Sequence, residues 1–174
     1  MRDYATVKSS FWTGETGRKL RALGRDEQLL AIYLITCPSS NMLGLYYLPL
    51  AVIAHELGMN QEGASKALRR VRETGFCQYD EDAEQVWVVE MAAYQVGGEL
   101  SSGDNRVKAI HKMLEGARKS QLFPAFIERY GKGFHWQETK PLQSPFKAPS
   151  KPGTGTGTGT GHTRRACRRR WRWG

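Results

Sequence analysis

This chain of 174 residues predicts a mainly α-helical fold with one small β-hairpin. Three observations carry that expectation. Two helical patterns meet at a tight turn within residues 50–74. Two short β-prone runs flank an acidic turn within residues 76–89. After residue 141, helical periodicity gives way to Pro, Ser and Lys, and then to a strict Gly-Thr alternation.

Taken in order, residues 4–12 have β character and end in Phe11-Trp12, and a short helical turn follows at 15–20. Residues 26–36 (DEQLLAIYLIT) predict a largely buried helix carrying Leu29, Leu30, Ile32, Tyr33 and Leu34. Pro38 and the Ser39-Ser40-Asn41 cluster end it. Residues 43–48 (LGLYYL) predict a short strand. A helix over 50–57 buries Val52, Ile53 and Leu57, and Gly58 ends it in the left-handed conformation that costs least without a Cβ. Asn60 caps the next helix through its side-chain oxygen; that helix runs over 61–74 and stops at Gly75. Small residues at Ala54, Gly58 and Ala64 let two helices cross steeply, as a helix-turn-helix requires. Strands over 76–79 and 86–89 form a hairpin around residues 80–85. The order helix, strand, helix, helix, strand, strand is that of a winged helix-turn-helix, with the hairpin as its wing. One continuous core is expected within 1–95, including Leu30, Leu34, Leu45, Ile53, Leu68, Val71 and Trp87.

Residues 96–103 read as a linker. Residues 104–119 predict a helix with Val107, Ile110, Met113, Leu114 and Ala117 on one face, and 123–130 a further helix opening near Pro124. The Gly-Thr run from Gly153 to Gly161 cannot bury enough surface to offset its ordering entropy, so disorder is expected there. The expected organisation is a winged helix-turn-helix domain at 1–95, a helical extension at 96–140 and a disordered tail at 141–174.

The net charge of +9 misleads as an average. Residues 1–150 hold 19 Lys+Arg and 17 Asp+Glu, whereas 151–174 hold 7 basic and no acidic residues. The domain is nearly neutral and the tail is a polycation, so a global isoelectric argument for nucleic-acid binding fails for the domain. Cys37, Cys77 and Cys167 lie far apart without a C-x-x-C, which indicates neither a zinc ribbon nor a disulfide scaffold. No run approaches the ~20 apolar residues of a membrane span. The expectation is a protein of a reducing cytoplasm, with no membrane partner.

The exposed face of residues 61–74 carries Gln61, Ser65, Lys66, Arg69, Arg70 and Arg72. Amides and hydroxyls suit base edges, and guanidinium groups suit guanines and phosphates. Double-stranded DNA is therefore the expected partner, although a polar face is also what any exposed helix presents. Asp80, Glu81, Asp82 and Glu84 at the wing tip would be repelled by phosphate. The wing then either stays clear of DNA, faces a protein, or is a solvated turn. Arg18, Lys19, Arg21 and Arg25 are candidate backbone contacts or a solvated charge run. Phe11, Trp12, Tyr46, Tyr47 and Trp87 suit core and strand positions better than base stacking, and His55 is expected to be exposed. In the tail, Arg164, Arg165, Arg168, Arg169, Arg170 and Arg172, with Trp171 and Trp173, suit non-specific nucleic-acid contact, a pattern that also suits anionic lipid surfaces. That tail reads equally as a genuine basic arm or as an out-of-frame product of slippage in the repeat. No nucleophile motif, P-loop or metal-ligand spacing is present, so no catalytic residue, metal or cofactor is expected, nor an enzyme. The Gly-Thr run fails as a dinucleotide fingerprint, because Thr158 stands where the third glycine is needed.

Phe11-Trp12, LLAIYLITCPSSNMLGLYYLPL at 29–50, IAHELG at 53–58, KALRRVRETGF at 66–76 and YDEDAEQVWVV at 79–89 together resemble a known group. It is the N-terminal winged-helix domain of phage and prophage replication proteins, the replisome-organiser or O-type initiators. The likeness covers residues 4–95 and extends weakly to DNRVKAIHKMLEG at 104–116. It implies origin binding and replication initiation in a bacterial host cytoplasm, associated with the nucleoid. It also implies recruitment of the host replicative helicase or its loader through the C-terminal part. Residues 104–136 are expected to dock a protein or a second copy of the chain. A phage transcriptional regulator and a winged-helix module that inhibits a host machine are the alternative readings.

Overall fold

Residues 5–137 are described by a computed structural model. The Gly-Thr run, the tail arginines and the expected disorder of residues 141–174 lie outside the described residues. The elements run α1 (Ser10–Thr13), α2 (Glu15–Leu23), α3 (Arg25–Thr36), β1 (Leu45–Tyr47), α4 (Leu50–Glu56), α5 (Gln61–Glu73), β2 (Cys77–Asp80), β3 (Gln85–Val88), α6 (Met91–Gln95), α7 (Asn105–Ala117) and α8 (Phe123–Tyr130). The protein is mainly helical with one small antiparallel sheet of order β1-β3-β2. From α3 to β3 the element order is the one expected.

Several local signals act as the residue types dictate. Gly58 and Gly75 take φ of +64° and +78°, the left-handed conformation that ends a helix. The Asn60 side chain accepts from the Gly63 amide at 2.7 Å and caps α5. Asp104 does the same for α7, accepting from the Arg106 amide at 2.8 Å.

Register divides the sheet into two packed faces. Leu45 pairs with Trp87 and Tyr46 with Val86; on the other side of β3, Tyr79 pairs with Val86 and Asp80 with Gln85. Side chains alternate between faces. Tyr46, Cys77, Tyr79, Val86 and Val88 therefore meet Leu30, Leu34, Ile53, Leu68 and Val71 from α3, α4 and α5. Leu45 and Trp87 point the other way, into Val107, Ile110, Leu114, Phe126 and Phe134. The Trp87 and Phe126 rings meet edge-on at 5.8 Å.

This arrangement corrects four expectations. The core is not continuous within 1–95: Leu45 and Trp87 belong to a second cluster shared with residues 96–136. Residues 96–103 are not a free linker, because Val96 and Leu100 are buried in that cluster. Phe11 and Trp12 lie in α1 instead of a strand, since tertiary contact decides: Phe11 packs on Phe76, ring centroids 6.4 Å apart. Finally, Leu29 is not among the buried residues of α3. Its inner stripe is Glu27, Leu30, Ala31 and Leu34, and Leu29, almost opposite on a 3.6-residue period, is 46% exposed.

Candidate nucleic-acid interface

α5 buries Ala64, Ala67, Leu68 and Val71. Successive residues turn by about 100° around a helix, so the exposed crest consists of Gln61, Glu62, Ser65, Lys66, Arg69 and Glu73. Gln61, Ser65, Lys66 and Arg69 stand where the sequence places them. Glu62 and Glu73 share the crest, which leaves its charge close to balanced.

Arg70 and Arg72 stand apart from that set. Two residues apart means about 200° around the axis, so they leave α5 from opposite edges. Arg70 turns inward and pairs through Nη1 with Glu27, while its Nη2 donates to the Leu23 carbonyl at 2.8 Å. Glu27 is only 4% exposed on the inner stripe of α3, and a buried carboxylate needs such a partner. Arg70 therefore braces α5 against the α2–α3 corner. Arg72 leans to the other side and meets Glu81 of the hairpin at 3.5 Å. The expected reading face thus includes one arginine held by the fold and another directed at the hairpin.

The α2–α3 corner that Arg70 holds beside α5 carries Arg21 and Arg25, and Arg18 lies about a turn earlier in α2; all three are exposed and in no ion pair with an acid among the described residues. Lys19 pairs with Glu15 at 2.7 Å. Of the five aromatics, Tyr46 and Trp87 are buried, whereas Trp12 and Tyr47 are exposed. His55 is exposed.

The hairpin acids are not a free cluster. Asp80 is buried. Its Oδ1 accepts from the Asp82 and Ala83 amides at 3.2 and 3.1 Å. Its Oδ2 accepts from the Ser120 hydroxyl at 2.8 Å and the Gln121 amide at 2.7 Å. Burial pushes the Asp80 pKa upward, but these hydrogen bonds outweigh it and hold the carboxyl below its ordinary value. Asp82 accepts from Gln121 Nε2 at 3.2 Å, and Glu84 from the Tyr47 hydroxyl at 2.7 Å. A cleft of about 340 Å³ separates α5 from the hairpin; Ser65, Arg69 and Arg72 line one wall and Glu81 and Glu84 another.

Two of these features were missed from sequence. Glu27 lies in phase with Leu30, Ala31 and Leu34, so the 3.6-residue period carried the signal. The Asp80–Ser120 contact spans 40 residues, and no local pattern encodes it.

Cys37 and Cys77 are buried free thiols. Burial pushes Cys77 up to about 12 and raises Cys37 as well, so neither is a thiolate at neutral pH. Among the described residues no group of three or more His, Cys, Asp or Glu could hold a metal ion, and no helix is long and apolar enough to cross a membrane. No protein-family model, curated protein or solved structure matches this chain.

Proposed function

We propose that this protein binds duplex DNA sequence-specifically as a winged helix-turn-helix, without enzymatic activity, in phage-type replication initiation. One observation carries the binding reading: α5 exposes Gln61, Ser65, Lys66 and Arg69 while Arg70 braces it from one edge against the buried Glu27. A reading helix must be presented rigidly, because base-edge hydrogen bonds tolerate little misplacement. Ser65 and Arg69 face base edges from the middle of the helix, and Gln61 does so from its capped start. Arg21 and Arg25, at the corner that Arg70 ties to α5, and Arg18 earlier in α2 contact flanking phosphates. Glu81 and Glu84 keep phosphate out of the cleft, so the duplex lies on the α5 crest and clear of the hairpin.

With Glu62 and Glu73 on the crest, attraction by net charge is weak, and affinity comes from fitted contacts. The replication role rests on the resemblance set out above. A preferred site inside the replication region of the encoding element supports it, and a site overlapping a promoter supports a transcriptional regulator. The inhibitor reading draws less support, because the hairpin acids already have partners within the chain.

A gel shift with duplexes selected from a random pool tests the binding reading. The Gln61/Ser65/Arg69 triple alanine variant is expected to lose its preference for the selected site. Undiminished preference would remove α5 as the reading surface.

A further inference from the structure

We infer that α7 and the turn after it form a second, sequence-independent face for the phosphate backbone of duplex DNA, on the side of the sheet opposite α5. The inference rests on the reading of the protein as DNA-binding and adds a surface that reading does not use.

The charge distribution points there first. Residues 5–95 hold 9 Lys+Arg and 11 Asp+Glu, whereas residues 96–137 hold 7 and 4. The part that carries α5 is net acidic; the extension is net basic. Three of its lysines lie on α7 and the turn after it. Lys108 and Lys112 lie one turn apart on α7, directed away from Val107, Ile110, Leu114 and Ala117, which are buried. Lys119 follows in the turn and is exposed as well. None of the three pairs with an acid among the described residues. The acid of the last turn, Glu115, is taken by Arg118 at 2.9 Å.

Small exposed residues adjoin the lysines. Ala109 and Gly116 are exposed, and a Cβ at Gly116 would meet nothing within 4 Å, so a sugar-phosphate backbone can approach the helix closely. Arg106 is not part of this face: it is clamped by Asp104 at 2.7 Å and donates to the Val96 carbonyl at 3.1 Å. Lysines on flexible stems, with few hydrogen-bonding neighbours of fixed geometry, suit phosphate attraction and not base reading. α5 packs on the Tyr46–Val86 face of the sheet and α7 on the Leu45–Trp87 face. The two surfaces therefore serve separate segments of DNA.

The test uses the full chain and a duplex of arbitrary sequence. Lysine acetylation read by mass spectrometry is expected to slow several-fold at Lys108, Lys112 and Lys119 when the duplex is added, and to stay unchanged at Lys8, which sits over the Tyr94 ring. Replacing the three lysines with glutamine is expected to flatten the dependence of log K on log salt by about 2.7, three contacts at roughly 0.9 each. Replacing them with arginine restores the slope, which separates charge from fold. Site preference is expected to survive in the glutamine variant, so a failure of the α5 reading is scored separately. Unchanged acetylation at the three lysines, or an unchanged slope, overturns the inference. Protection by anionic lipid vesicles but not by duplex overturns it too.

Discussion

The two faces of the three-stranded sheet are built differently although a single residue step separates them. On one face, Tyr46, Tyr79 and Val86 pack against helices that lie within 60 residues of sequence. On the other, Leu45 and Trp87 pack against helices that follow the sheet in the chain. The first face has a polar device at its edge, Arg70 on Glu27; the second has Asp80 held by Ser120 and Gln121. The extension after residue 95 is therefore part of the architecture that holds the hairpin, and not an appendage to a finished domain.

The largest effect expected from this comparison comes from ending the chain at Gln95. That truncation uncovers Leu43, Leu45 and Trp87 together. The fragment should unfold at much lower denaturant than the full chain and bind a hydrophobic dye; equal midpoints would mean that the second face adds nothing. Within the full chain, Phe126→Ala should cost roughly 3–5 kcal/mol, the usual range for a buried phenylalanine. It should also shift one cooperative transition, and separate transitions for the two faces would break the account.

The first face offers a matched pair. Leu68, 4% exposed, should cost roughly 2–5 kcal/mol on replacement with alanine. Leu29→Ala, at an exposed position, should stay within about 0.5 kcal/mol. Equal costs in urea denaturation would contradict the phase assigned to α3.

A smaller effect is expected at Asp80. Asp80→Asn removes the charge and turns one of the two accepting oxygens into an amide nitrogen that cannot accept, so two of the four hydrogen bonds are lost; it should cost roughly 1–3 kcal/mol near neutral pH. The sign with pH follows from its depressed folded pKa. The carboxylate's stabilisation is complete above its ordinary value near 3.8 and fades as pH falls through the lower folded value. The cost of Asp80→Asn should therefore shrink in acid. A cost that grows toward pH 3 would show that the contacts favour the protonated acid.

Much of the fold was legible in the sequence because its signals are local. Gly58, Asn60 and Gly75 fix the ends of α4 and α5 through φ and capping, and Pro124 opens α8. The division of the sheet was also written there: Val86-Trp87-Val88 alternates faces yet is apolar throughout, which is the mark of a strand covered on both sides. Reading it as one core hid the role of the extension. At the candidate site, Gln61, Ser65, Lys66 and Arg69 followed from helical phase. Arg70 did not, because its direction is decided by Glu27, 43 residues away. Charge alone cannot tell an arginine that meets a ligand from one that satisfies a buried acid.

Those adjacent arginines supply the most direct test. Arg69→Ala and Arg70→Ala should be measured side by side for unfolding midpoint and for affinity to a selected duplex. For Arg69→Ala, stability should stay within about 0.5 kcal/mol and binding should weaken by roughly 1–3 kcal/mol. For Arg70→Ala, the unfolding midpoint should fall, because Glu27 is left buried without its partner, and the fraction that remains folded should still recognise the same sequence. An Arg69→Ala protein that binds its site as tightly as the native chain would contradict the claim that the α5 crest reads DNA.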